Sequence, residues 1–190
     1  MSEKYKIWDQ NKLYFLTLTV KEWIDIFDDD SYKLILIDSL RYCQQEKGLE
    51  IFGYCIMSTH VHLLARVKEN YTLSGLLRDF KKYTSKAILK RISNEAETEK
   101  RSLRDKFENT KESRQPGKEN FTLWKEGNHP IEITSNKFFD EKLDYIHNNP
   151  VNAFLVRCPE DYLFSSARNY AGLYNHLEIV LEIVKLRTYK

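Results

Sequence analysis

The sequence predicts an α+β protein: a ferredoxin-like antiparallel sheet with two long helices on one face and a shorter, tyrosine-bearing helix on the other. Three observations carry this expectation. Alternating apolar residues mark three strands, apolar residues at helical spacing mark two long segments that cover them, and the resulting order is strand, helix, strand, strand, helix. A final strand after the second helix completes the ferredoxin-like arrangement.

Taken in chain order, Leu13 to Val20 alternates threonine with apolar residues, the pattern of a strand with one wet and one dry face. Asp29 or Asp30 then caps a helix from about Ser31 to Glu46, which Gly48 stops because glycine accepts the left-handed backbone of a helix end. Leu49 to Met57 forms a second strand, and a short turn at Ser58 and Thr59 returns the chain antiparallel into Thr59 to Val67. Leu73, Leu76, Leu77, Phe80, Tyr83, Ala87, Ile88 and Ile92 make a helical stripe over Thr72 to Ser93, long enough to cover the sheet. The last strand falls near Phe121 to Trp124 or Pro130 to Thr134. A third helix runs from Asn136 to Asn149, capped by Ser135 or Asn136 and ended at or near Asn149 by Pro150. Between them, residues 94–120 are charged and almost without apolar side chains, and are expected to be a loop or a frayed extension. Tyr174 to Tyr189 reads as an amphipathic helix within a C-terminal tail over about 151–190.

With 190 residues, 42% hydrophobic and 13% aromatic, the chain can bury one sizeable core, and a single domain over 1–190 is expected. The formal charge is only +2, so overall electrostatics do not point to nucleic acid and any phosphate contact must come from local clusters. Cys43, Cys55 and Cys158 are odd in number and form no paired motif, as expected of reduced thiols in the cytoplasm. There is no long apolar run and no apolar signal core, which excludes a membrane-spanning reading.

His60-Val61-His62 lies in the third strand, where Val61, Leu63, Ala65 and Val67 alternate as a buried face. Residues two apart on a strand project the same way, so both imidazoles can approach one divalent ion. The run Tyr145-Ile146-His147-Asn148-Asn149-Pro150 adds a second element. Residues four apart share a helical face, placing the Tyr145 hydroxyl one turn from the Asn149 amide. Two readings stand at this point: a nucleophile beside a hard oxygen ligand, or a core tyrosine followed by a helix-capping asparagine.

His-hydrophobic-His on a strand, followed by Asp144-Tyr145-Ile146-His147-Asn148-Asn149-Pro150-Val151, then Pro159-Glu160-Asp161-Tyr162 and Ser165-Ser166-Ala167-Arg168, resembles the single-tyrosine HUH transposases, in particular the REP-associated tyrosine transposases. The resemblance runs from about Tyr14 to Gly172. It implies metal ligation by His60, His62 and Asn149 and a nucleophilic Tyr145, acting on single-stranded or hairpin DNA through a covalent 5′-phosphotyrosine that leaves a free 3′ hydroxyl. It also implies Mg2+ or Mn2+ as the divalent cation, and a monomer or a homodimer as the working form. A phenol with a reference pKa of about 10 is only about one part in a thousand ionised at neutral pH, so a neighbouring cation is the expected activator.

Arg78, Lys81, Lys82, Lys86, Lys90 and Arg91 line a polar face of the second long helix and are candidates for DNA phosphate, while Arg66 shares the strand face of His60 and His62 and is a candidate for the scissile phosphate. Tyr54, Trp124 and His129 are candidates for stacking on unpaired bases or for core packing. Two rival functions remain: a hairpin-binding regulator that does not cut, and a metal-dependent phosphoesterase acting on small nucleotides, in which Tyr145 only packs.

Overall fold

The computed structural model describes residues 6–94 and 123–181. Its elements are β1 (Tyr14–Thr19), α1 (Asp30–Glu46), β2 (Leu49–Ile56), β3 (His60–Val67), α2 (Leu73–Asn94), β4 (Ile131–Glu132), α3 (Asn136–Asn152) and α4 (Ala167–Tyr170), with 3-10 turns at Lys21–Trp23, Ile26–Asp28 and Pro159–Asp161. The strands form one antiparallel sheet in the order β2-β3-β1-β4. This is the ferredoxin-like α+β arrangement, with α1 and α2 on one face and α3 across the other.

Local signals explain the boundaries. The Asp29 carboxylate accepts from the Ser31 amide at 2.8 Å and opens α1, and Gly48, at φ +64°, closes it. Ser135 opens α3 by accepting from the Phe138 amide at 3.2 Å. Pro150 does not end α3 as expected from the sequence; the helix continues to Asn152 with the proline ring buried. A proline so close to the helix end forfeits a single ladder bond, and the last turn is closed instead by the Ala153 amide on the Asn149 carbonyl and by Phe154 at φ +57°.

The last strand draws on both segments that the sequence offered. β4 pairs with Tyr14 and Phe15, while Trp124 bridges Val20 and the Lys125 amide donates to the Thr19 carbonyl. The loop between them returns Asn128 to the edge, where its carbonyl accepts from the Thr17 amide.

Of the tail expected over about 151–190, residues 151–181 are described and do not form the expected helices, while residues 182–190, which include the rest of the helix expected from Tyr174 to Tyr189, lie outside the described residues. Residues 151–181 contain the end of α3, one 3-10 turn and the short α4, and residues 174–181 are non-helical. This segment covers the outer edge of β2 instead. Phe164 and Ser166 exchange backbone bonds with Ile56 and Tyr54, and the Val180 amide reaches the Ile51 carbonyl, so an edge that would otherwise expose unpaired groups is closed. The charged stretch lies outside the described residues except for Asn94, which ends α2. Among the described residues no helix is long and apolar enough to cross a membrane.

The sheet is buried on both sides. On β3, Val61, Leu63, Ala65 and Val67 pack toward the two long helices, while His62 and Leu64 lie beneath α3. Gly53 permits the close approach of that helix: a Cβ there would sit 2.8 Å from Leu143 Cδ1. The other clamp is polar. His147 Nε2 lies 2.8 Å from the Ser166 hydroxyl, which also accepts from the Tyr54 amide at 2.9 Å, so α3, β2 and the edge segment meet at one buried oxygen.

Candidate active site

Strand alternation brings His60 and His62 to the α3 side of β3, with ring centroids 4.6 Å apart. Each imidazole has its Nδ1 held by a hydroxyl: Thr59 Oγ1 at 3.0 Å for His60, and Thr17 Oγ1, across the β1 pairing, at 3.1 Å for His62. Phe15 stacks on His62 at 5.3 Å with 23° between the rings. Tyr145 closes the group from α3, its ring edge-on to His62 at 5.3 Å and to Phe15 at 5.9 Å. The tyrosine remains 49% exposed, so its hydroxyl is open to solvent.

His62 is only 3% exposed, and its Nε2 is buried without a hydrogen-bond partner. An orphaned buried nitrogen costs free energy, about 1–3 kcal/mol, and a bound ion is one way such an atom is satisfied. Burial, reinforced by the neighbouring His60 and by Lys142, pushes the His62 pKa down to about 3, and burial lowers that of His60. Both rings are therefore neutral at pH 7, the form that ligates a metal. A hydroxyl on Nδ1 leaves Nε2 as the ligating atom, the usual division of labour in histidine metal sites.

Asn149 stands one turn beyond Tyr145, and its Nδ2 donates to the Tyr145 carbonyl at 3.3 Å, leaving the amide oxygen as the atom with which it would ligate. Among the described residues no hydrogen bond joins Asn149 to either histidine, and ring contacts join His60 to His62 and His62 to Tyr145. Also among the described residues, no group of three His, Cys, Asp or Glu side chains is arranged to hold a metal. Two imidazoles with an amide oxygen and substrate oxygens suit a hard or borderline divalent ion.

The basic candidates are placed otherwise. Arg66 shares the face of the histidines, yet its Nε is paired with Glu50 at 2.6 Å and its guanidinium lies over the Phe52 ring at 5.2 Å. Arg78 is paired with Asp79 at 3.0 Å. Lys81 donates to the carbonyls of Lys125 and Gly127, and burial brings its pKa down to about 8, so it pins the loop before β4. Lys82, Lys86 and Lys90 are exposed on α2, and the Arg91 guanidinium lies 5.9 Å from the Tyr32 ring centroid. This helix covers the sheet face opposite the imidazoles. Tyr54 and Trp124 are core residues, the first bonded to Asn175 and the second to Thr84, and do not offer a free ring to a base. His129 is exposed on the loop before β4.

Sequence reasoning missed four contributors. Phe15 and Thr17 orient His62 from β1, and the alternation of that strand was the available signal. Lys142, one turn before Tyr145, holds its ammonium 5.0 Å from the Phe15 centroid and 5.8 Å from that of Tyr145. The bond of His147 to Ser166 ties the tyrosine helix to the sheet edge; the Ser165-Ser166-Ala167-Arg168 motif gave that hint.

The fold and the paired imidazoles beside Tyr145 can be set against known proteins. Residues 10–104, half of the chain, match the family described as IS200-like transposases, and the chain belongs to that family. It is thus a transposase, an enzyme class that cleaves and moves DNA. The matched region contains His60 and His62 but ends before Tyr145. A solved REP-associated tyrosine transposase bound to a REP hairpin has the same fold, with a TM-score of 0.65 at 18% identity over 100% of this chain and 99% of that one. A putative transposase from Deinococcus radiodurans R1 is similar over 77% of this chain and 97% of its own, with 19% identity and a TM-score of 0.41. No curated protein matches the chain.

Proposed function

We propose that this transposase cuts and rejoins single-stranded or hairpin DNA through a covalent 5′-phosphotyrosine at Tyr145, with Mg2+ or Mn2+ held by His60, His62 and Asn149. The observation that carries the reading is the partnerless, buried Nε2 of His62 on a ring that the exposed phenol of Tyr145 meets edge-on. The fold neighbour bound to a REP hairpin supports a hairpin as substrate. The bound cation would polarise the scissile phosphate and offset the charge that develops on it.

The chain supplies the rest. The Tyr145 oxygen attacks phosphorus as the P–O3′ bond breaks, the phenolic proton is lost and the departing 3′ oxygen gains one. Attack by a 3′ hydroxyl on the phosphotyrosine reverses these changes, conserves the ester bond and releases the phenol. Thr17 and Thr59 fix the imidazole tautomers, and α3 sets the phenol in line. The chain, a single domain over 1–190, works in the cytoplasm as a monomer or homodimer.

The test uses end-labelled hairpin oligonucleotides with unpaired flanks, incubated with Mn2+ and resolved under denaturing conditions. A protein-DNA adduct that disappears in Tyr145→Phe supports the proposal. Binding without adduct across many hairpins would favour the non-cleaving regulator, and hydrolysis of small nucleotide esters that survives Tyr145→Phe would favour the phosphoesterase.

A further inference from the structure

Beside His60 the chain does something costly. Between β1 and α1 the backbone makes a 3-10 turn in which two consecutive residues, Glu22 and Trp23, adopt left-handed conformations, at φ +52° and +56°. Neither is glycine, and each such residue costs about 1–2 kcal/mol. Strain of this kind persists where surrounding structure enforces it and collects at functional sites. Here the surroundings do enforce it: the Val20 amide is bonded to the Thr59 carbonyl, the Lys21 amide to Leu123, and Val20 bridges Trp124.

The outcome is an indole held at the rim of the candidate active site. Trp23 is 58% exposed, its ring is edge-on to that of His60 at 6.2 Å, and the Lys125 ammonium lies 4.6 Å from the ring centroid. Next to the indole opens a depression of about 470 Å3 lined by Glu22, Trp23, Ile24 and Asp25. Two of its four lining residues, Glu22 and Asp25, are acidic, which disfavours a phosphate there relative to a base. Lys125 sets a cation on the same ring, beside that depression. What sets this indole apart from an ordinary exposed aromatic is the pair of left-handed residues that holds it against His60 and Lys125.

We propose that Trp23 is a stacking platform for one unpaired nucleobase of the strand being cut, flanking the scissile phosphate, with Lys125 as the phosphate partner of the same nucleotide. This deepens the strand-cutting reading above and rests on it for the location of the scissile phosphate. Stacking is indifferent to base identity, so the site takes any unpaired base and excludes paired ones.

The experiment separates base from backbone and binding from cutting. In a Tyr145→Phe background, which forms no adduct, affinities are measured for a short fluorescein-labelled oligothymidylate and for an abasic strand of equal length. Trp23→Ala is expected to weaken oligothymidylate binding about tenfold and to leave abasic binding unchanged, while Trp23→Phe, which keeps a ring, loses at most about threefold. Tryptophan fluorescence gives a second reading: oligothymidylate quenches the parent protein, and the quench is lost in Trp23→Phe. Equal losses on both strands, no loss on either, or quenching that survives Trp23→Phe overturns the proposal. Because this readout needs no chemistry, a failed stacking site leaves the Tyr145 adduct intact, and a missing adduct leaves the stacking result standing.

Discussion

The phenol ring of Tyr145 on α3 meets the imidazole of His62 on β3 edge-on, with centroids 5.3 Å apart. Phe15 lies within stacking distance of the same imidazole and Thr17 holds its Nδ1, so β1 and β3 fix the histidine while α3 carries the tyrosine to it. In the proposed mechanism the seating of α3 on the sheet therefore sets the position of the phenol, and changes at its contacts reach the site without touching it.

Gly53 is the first such contact. Gly53→Val places a branched side chain where a single Cβ already meets Leu143 at 2.8 Å, and α3 must lift or the core must strain. The expected loss is about 1–3 kcal/mol by urea unfolding, the usual cost of overpacking. Adduct formation should fall more steeply than stability predicts, because the phenol moves with the helix. Wild-type adduct yield in a destabilised Gly53→Val protein would contradict the seating argument.

The polar clamp gives a second prediction. Ser166→Ala removes the hydroxyl that serves both His147 Nε2 and the Tyr54 amide, leaving buried groups without that partner, for a loss of about 1–3 kcal/mol. A double-mutant cycle with His147→Ala should return a coupling of at least about 0.5 kcal/mol, as expected for residues in contact. Strict additivity would show that the two side chains do not work as one clamp.

Stability should also fall with acid, for a defined reason. Burial holds the His62 pKa at about 3 and that of His147 at about 4 in the folded protein, against 6.5 as the ordinary value. Above pH 6.5 the rings are neutral in both states and the stability is whole. As pH falls below it, the unfolded chain takes up protons that the buried rings refuse, and stability declines by up to about 1.4 kcal/mol per pH unit for each ring until the folded values are reached. Urea unfolding in EDTA between pH 7 and 4.5 should show this slope, flattened by about one proton in His147→Gln. An unchanged slope would mean that His147 is protonated in the native state.

Much of this was legible in the chain. The strand carrying His60 and His62 and the helix carrying Tyr145 and Asn149 follow from periods of two and 3.6, and Asp29, Gly48 and Ser135 act at the helix ends where their chemistry suits them. What was hidden depends on register and distance. Arg66 finds Glu50 only because β2 pairs with β3 in one register, through an irregularity between Ile51 and Gly53. Lys81 is committed to carbonyls of residues 125 and 127, which sequence spacing does not bring near it. The apolar residues around Leu177 to Leu181 fit a helix by composition, but the open edge of β2 offers backbone partners and tertiary pairing wins. The indole of Trp23 sits in a conformation that no periodicity signals.

The measurement that bears most directly on the central claim is pulsed EPR on Mn2+ bound to the Tyr145→Phe protein together with a hairpin oligonucleotide. The account predicts nitrogen couplings from two imidazoles and a phosphorus coupling from DNA on the same ion, with nitrogen coupling reduced in His62→Ala. Mn2+ that shows phosphorus coupling but no imidazole nitrogen would contradict it, since the ion would then belong to the DNA and not to His60 and His62.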